Sequence, residues 1–353
     1  MLFKSISIAL VASLCTAAAA ADIFTNPVLW EDLADLDIFR VGDAWYYSAS
    51  TMHYSPGAPI LRSYDIINWE YIGHSVPKLE WSSKYNLTGS ERAYVKGISA
   101  STMRYRKSND KWYWFGCIES GKTYIHTAPE ATGPWNLAST LNTCFYDAGL
   151  LIDDDDIMAA APITWSSDGF PTLTTSNGGW GVTYPMPMPA RPLPPLIEPD
   201  TFTGPAFSHQ REWNHNPDTT SFHISNGLTL NTATVTNDLY AARNTLTHRI
   251  HGPVSTATIV LDTTNMADGD RAGLALFRDQ SAWIGVLNDG GALKVGMVNS
   301  ITMDSSWRTT NTGRTAASAD VQKGPIYLRC TVDINPGPGR TGTFSYSTDG
   351  AGF

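Results

Sequence analysis

The 353-residue sequence predicts an all-β protein built from two units. Three observations carry that expectation. Short runs rich in β-branched and aromatic residues recur, Gly, Pro, Asn and Asp break them roughly every 8 to 12 residues, and no long stretch keeps a helical period. The elements then follow in chain order. "MLFKSISIALVASLCTAAAAAD" has a positive charge at Lys4, an apolar run from Ile6 to Leu14 and small residues up to Ala20, which predicts a secretory signal peptide over residues 1–20 and a secreted, extracellular protein. That apolar run is shorter than the roughly 20 residues a membrane span needs, and nothing later approaches that length, so no membrane association is expected. Residues 21–183 supply "DIFRVGDAWYYSAS", "PILRSYDIINWEYIG", "SASTMRYRKSNDKWYWFGC", "KTYIHTAPEATGPW" and "AGLLIDDDDIM", each a β-like run closed by turn residues. Residues 184–199, "YPMPMPARPLPPLIEP", are too rich in proline to be anything but extended, and they read as an interdomain linker. Residues 200–353 return to strands with polar turns, "STATIVLDT", "RAGLALFRD", "SAWIGVLND" and "PIYLRCTVDI" with "NDGG" among them, and predict a separate β-sandwich.

Composition narrows the partners. The formal charge is −9, or −10 once Lys4 leaves with the leader, and no Lys/Arg cluster occurs, which argues against nucleic acid and anionic lipid. Charged residues make up 16% and aromatic residues 11%, a balance suited to stacking on neutral, hydroxyl-rich ligands such as sugars, although β cores absorb most aromatic side chains. After Cys15 is removed, Cys117, Cys144 and Cys330 remain. An oxidising compartment permits a Cys117–Cys144 bridge with Cys330 left over, but spacing alone does not fix the pairing. Asn86-Leu87-Thr88 is a glycosylation sequon compatible with secretion. The run Asp153 to Asp156 reads as a turn between strands, because four consecutive residues cannot all face one calcium ion. No cofactor and no metal site is expected.

"NPVLWEDLADLDIFRVGDAWYYSAS" followed by "PILRSYDIINWEYIG" resembles the opening blade of glycoside hydrolase family 43, whose members include β-xylosidases and α-L-arabinofuranosidases. "EWNHNPD", "ARNTLTHRI" and "DGDRAGLALF" resemble the concanavalin A-like domain that follows the propeller in many β-xylosidases of that family. The resemblance implies a five-bladed β-propeller with a sugar pocket on its axis. It also implies inverting hydrolysis, in which a base and an acid lie about 6.5 to 9.5 Å apart with a water between base and anomeric carbon. Matched by position, Asp35 of "LADLDI" falls on the general base, and Asp37 falls where the family more often has a small polar residue. Asp147 of "YDAGLLIDDDD" falls on the third carboxylate, which raises the pKa of the acid and orients the sugar. The substrate class implied is a pentose-containing oligo- or polysaccharide.

The same resemblance exposes a gap. "DDDDIM" runs straight into "AAAPITWSSDGFPTLTTSNGGWGVTYPMP", which resembles the last propeller segment of the family, and the part that would carry the catalytic acid is absent. Asp22 to Pro195 is 174 residues, and at about 40 to 45 residues per blade this supplies four blades at most. No glutamate lies between Glu130 and Glu198, and neither these two nor Glu119 sits in an acid-like motif, so no general acid is found. In "VKGISAS", Ser99 and Ser101 stand where the family commonly has Trp and Pro. "FSYSTDGAGF" turns at Asp349-Gly350 without a return strand, so the sandwich reads as C-terminally incomplete.

The expected fold is therefore an incomplete five-bladed β-propeller followed by a concanavalin A-like β-sandwich. The expected function is that of a secreted pentose-specific glycoside hydrolase lacking its proton donor, the alternative being a non-catalytic remnant or glycan-binding protein. A gene model or splice product that lost an internal block at the Met158–Ala159 join accounts for the gap.

Overall fold

In the computed structural model, residues 23–147, 163–165, 171–173, 181–335 and 337–353 are described. The leader, the Asp153 to Asp156 run and the Met158–Ala159 join lie outside them. The chain is all-β. Asp37–Val41, Ala44–Ser48, Gly57–Ser63 and Trp69–Val76 form one four-stranded antiparallel meander, and Thr102–Arg106, Lys111–Ile118, Lys122–Ala128 and Asn136–Leu141 form a second. Each has the four-stranded antiparallel form that the resemblance implied for a blade, and the two are called the first and second blade below. Ile163–Trp165 pairs with Pro171–Leu173, and Ile23–Thr25 pairs with Thr183–Pro185. Among the described residues no sheet closes into a ring, and the expected five-bladed propeller is not established by these two four-stranded sheets and the short ladders.

The first blade is apolar on both faces, as its sequence requires. Side chains alternate across a strand, so Phe39, Ile60 and Ile72 join a cluster with Met103, Trp112 and Trp114 of the second blade, while Trp45, Tyr47, Leu61 and Trp69 fill a cluster on the other side. Tyr46 meets Trp112 edge-on at 4.6 Å between ring centroids, locking the blades together. The Trp side chains 45, 69, 112, 114, 135 and 213 are all buried, so the aromatic richness serves packing more than sugar stacking. The inner strands of the two blades are also tied by charge. Asp37 accepts from Thr102 Oγ1 at 3.0 Å, the Met103 amide at 2.8 Å and Arg104 Nη1 at 2.7 Å.

The proline-dense segment has little regular structure beyond the strand Thr183–Pro185, and it is not a free spacer. Tyr184 is already in register with Phe24, Met188 packs on the Trp45–Trp69 cluster, and the Arg191 amide donates to Asp65 at 2.7 Å. Prolines leave few donors for a sheet, so the segment is fastened by the few side chains and amides between them.

In the second half, Arg271–Leu276, Gln280–Asp289, Ala292–Met303 and Thr309–Asp320 form one sheet, and Val254–Asp262, Pro325–Asp333 and Thr341–Ser347 the other. Ile284, Val286, Leu293, Val295, Ile326 and Leu328 fill the space between them. The predicted "NDGG" turn is a two-residue hairpin, with Gly290 at φ 62° and Gly291 at φ 80°, the left-handed pair that matches strand twist.

The halves share a sheet. Tyr54–Ser55 pairs with Arg211–Asn214, which pairs in turn with Leu246–His248. Around this seam, the Oδ1 of buried Asn214 is shared by His53 Nε2 at 3.1 Å and His215 Nδ1 at 3.1 Å. The other ring nitrogens accept backbone amides, His53 Nδ1 from Val95 and His215 Nε2 from Ala93. Both rings are therefore neutral, with their tautomers set by the amides. Nearby, Glu212 is sandwiched between Arg249 at 3.1 Å and His74 at 3.3 Å.

Candidate active site

The site is built where inner strands begin. The inner strands of the two blades start at Asp37 and Thr102, and two residues before each start the chain passes through a left-handed residue, Asp35 at φ 53° and Ala100 at φ 44°. Asp147, the last described residue before the next propeller segment, is also left-handed at φ 51°. Such conformations cost about 1–3 kcal/mol in residues other than glycine and cluster at functional positions. Asp35 and Asp147 share the left-handed φ, as do fifteen other non-glycine residues among those described, and both are exposed.

Asp35 is held by a side chain that the sequence did not single out. Buried Ser50 donates to Asp35 Oδ2 at 2.7 Å, its Oγ accepts the Ala100 amide at 2.7 Å, and its own amide bonds the Ala34 carbonyl. One serine therefore fixes the carboxylate and connects the two left-handed turns. The preceding strand Ala44–Ser48 delivers Ser50 to this end of the blade, opposite its turn at Gly42-Asp43.

Beside these turns lies a cavity of about 290 Å³ lined by Met52, Gly97, Ser99, Glu119, Ser120 and Tyr146 among others. Gly97 allows its formation. A Cβ there would lie 2.3 Å from the Met52 carbonyl oxygen, and the close approach brings Met52 into a β-bridge with Ile98. Ser99 reaches the wall, whereas Ser101 is turned inward to accept Trp114 Nε1 at 3.0 Å. Tyr146 brings the Asp147 segment to the same opening, and the Cys117–Cys144 disulfide anchors that segment to strand Lys111–Ile118. The pairing that spacing left open is thereby fixed, with Cys330 free and buried.

A second, larger groove of about 1280 Å³ runs between residues 90–96 and the hairpin around Trp307 of the sandwich, and it shares Val95 and Lys96 with the smaller cavity. The sandwich domain therefore borders the larger groove. Arg92 bridges the two sides, bonding both Asp238 and Thr309.

Of the glutamates considered as proton donors, Glu198 is exposed in the connector, and Glu130 lies in an exposed loop, where its carbonyl accepts the Gly133 amide. Glu119 does reach the cavity, but its carboxylate accepts from both Lys84 and Tyr85. Burial, and then the Glu119 carboxylate, push the Tyr85 phenol well above its ordinary value. Glu119 is thus an acceptor clamp on the wall. Among the described residues no cluster of His, Cys, Asp or Glu could hold a metal ion.

Comparison with known proteins adds the family. Residues 24–167 match the model of glycosyl hydrolases family 43, and residues 199–353 match the beta xylosidase C-terminal concanavalin A-like domain. A solved structure of an engineered family 43 enzyme, described as displaying both endo-xylanase and exo-arabinofuranosidase activity, superposes with a TM-score of 0.86 at 35% identity, covering 94% of this chain and 91% of that one. A beta-xylosidase of Formosa agariphila is 34% identical over 32% of this chain and 19% of its own length. A xylan 1,3-beta-xylosidase of a Vibrio species is 30% identical over 37% of this chain and 25% of its own, and a non-reducing end alpha-L-arabinofuranosidase of Bacteroides ovatus is 29% identical over 40% and 27%. The chain thus spans between a fifth and about a quarter of these curated relatives. With the two domain models in the family's order and a near full-length structural match at this identity, the chain belongs to glycoside hydrolase family 43.

Proposed function

We propose that the chain is a secreted pentosidase scaffold of the inverting type, acting on xylose or arabinose linkages of plant polysaccharide, with Asp35 as general base and Asp147 as the modulating carboxylate. The observation that carries this reading is the Ser50 clamp, which holds the Asp35 carboxylate just before strand Asp37–Val41 and ties it to the Ala100 turn, whose neighbour Ser99 lines the cavity; Asp35 and Asp147 themselves are not on its wall. A base so fixed removes a proton from water as the water attacks the anomeric carbon. The exposed Asp147 carboxylate sits in the matching backbone conformation next to Tyr146 on the cavity wall. The beta-xylosidase and alpha-L-arabinofuranosidase among the relatives suggest the substrate class.

The chain's own general acid is absent from this reading, because no described glutamate at the cavity is free to donate and the sequence between Glu130 and Glu198 contains none. Loss of general acid catalysis typically costs about 10² to 10⁴ in rate. That cost falls on poor leaving groups and spares those that depart without a proton. The test therefore compares leaving groups. Dinitrophenyl β-xyloside or α-L-arabinofuranoside is expected to be hydrolysed in an Asp35-dependent way, while xylobiose is cleaved at least a hundredfold more slowly. Equal turnover of the two substrates would refute the missing donor, and unchanged turnover in Asp35→Asn would refute the base. Sequencing the transcript across the codons for Met158 and Ala159 tests whether an internal block was lost. Restored codons carrying a glutamate are the expected result.

A further inference from the structure

The glycosylation sequon is the one sequence motif that the catalytic reading leaves unused, and its surroundings are specific. Asn86 ends the 3-10 turn Ser83–Asn86, Leu87 follows in a left-handed conformation, and Thr88 is exposed. Facing Asn86 across the seam is Asn216 of the second half, almost fully buried. The orientation of Asn216 is dictated by Leu79. Its Oδ1 accepts the Leu79 amide at 3.0 Å, and its Nδ2 donates to the Leu79 carbonyl at 2.7 Å. A second N–H of the same Nδ2 points at Asn86 at 2.9 Å, and the atom that receives it must be an acceptor. Asn86 therefore turns Oδ1 inward to the seam, and among the described residues its Nδ2 has no partner yet is not shut away from solvent. N-linked attachment consumes only Nδ2 and leaves an amide oxygen in place.

We propose that Asn86 carries an N-linked glycan that rides on the domain seam while its amide oxygen keeps the bond to Asn216. The co-reactant is a polyprenyl-diphosphate-linked oligosaccharide of a eukaryotic-type secretory lumen. The bond from Nδ2 to the anomeric carbon forms, the bond from that carbon to the diphosphate oxygen breaks, the lipid diphosphate departs with the electron pair, and one amide proton is lost to base. Lys84 and Ser90 flank the sequon and line the larger groove, so the attached sugars stand beside the sandwich-bordered opening without entering the seam. The inference requires secretion, and it is independent of whether Asp35 is catalytic.

The test is expression in a eukaryotic secretory host behind the host's own leader, with peptide mass spectrometry before and after peptide-N-glycosidase, which converts a glycosylated asparagine to aspartate. Cell-free translation with microsomes gives the same readout without relying on yield. The expected result is a glycan on the Asn86 peptide that is lost completely in Thr88→Ala, with the unfolding midpoint of the unglycosylated bacterial protein unchanged by that substitution. Asn86→Gln should lose the glycan and also lower the midpoint, because its longer side chain misplaces the oxygen facing Asn216. An unmodified Asn86 peptide in both systems overturns the proposal. A midpoint equal in Asn86→Gln and Thr88→Ala overturns the claim that the amide oxygen serves the seam.

Discussion

At the scale of single residues, the decisive contact is a serine hydroxyl that both donates to Asp35 and accepts a backbone amide from the next blade. Replacing Ser50 by Ala leaves the Ala100 amide unpaired and frees the carboxylate to rotate. We expect a loss of about 1–3 kcal/mol in stability and a fall in kcat on the dinitrophenyl pentoside of roughly tenfold or more, equivalent to about 1.4 kcal/mol, with KM little changed. An unaltered kcat would show that the clamp does not position the base. The sequence singles out Asp35 because a long motif surrounds it. It does not single out Ser50, since a serine among small residues after an aromatic strand carries no chemical signature until the fold brings Asp35 and Ala100 to it. Asp37, two residues further on at the start of the strand, stands out in the sequence only as a departure from the family. Its three donors show that it joins two blades, and Asp37→Asn should weaken the Arg104 contact and cost about 1–3 kcal/mol, measured by denaturant unfolding.

At the scale of elements, the disulfide and the connector show how sequence reading and structure divide the work. Cys117 and Cys144 are separated by 27 residues and enclose two strands, so removing the bridge by a double Cys→Ser substitution should cost about 3–4 kcal/mol on a chain-entropy basis. It should also loosen the segment bearing Asp147. Thiol labelling of the unfolded, unreduced mature protein should find one reactive cysteine, Cys330, and none while the protein is folded, because burial pushes its thiol up to about 11. Two or more labelled cysteines would contradict the bridge. Strand positions were readable from turn spacing, since Gly, Pro, Asn and Asp act locally. The pairing of cysteines was not readable because spacing does not say which strand ends meet, and the fastening of residues 184–199 was not because its contacts, such as Arg191 with Asp65, lie more than a hundred residues away.

At the scale of the molecule, the seam sets the response to pH. Burial lowers His53 to about 4 and, with added repulsion from His53, lowers His215 to about 2, against an unfolded value near 6.5. The folded state thus binds fewer protons than the unfolded one as pH falls below 6.5, and stability is lost from there down to about pH 4 through His53 and on to about pH 2 through His215, with a limiting slope of about 1.4 kcal/mol per pH unit for each imidazole. Glu212 adds to the trend. Burial alone would raise its pKa, but Arg249 and His74 outweigh that and hold it below the ordinary value, so its contribution is present at neutral pH and vanishes in acid. A His53→Asn variant should show a shallower decline in unfolding free energy between pH 6.5 and 4.5 than the parent, and an identical slope would exclude this role. Removing Arg249 alone should cost about 3–5 kcal/mol, because it strands a buried carboxylate. The two-unit, all-β plan was visible in the sequence. The seam was not, because its members come from "TMHYS" and "EWNHN", short stretches far apart in the chain whose histidines and asparagines have no partner within reach locally.

Because Tyr54 and Ser55 lie in a sheet with strands of the second half, the halves are stitched by backbone and not merely tethered. A protease that clips the exposed stretch around Pro194 and Pro195 should yield two fragments that travel together on a sizing column and separate only in denaturant. Either half made alone would carry a torn edge, and recovery of the native particle should then require mixing both pieces.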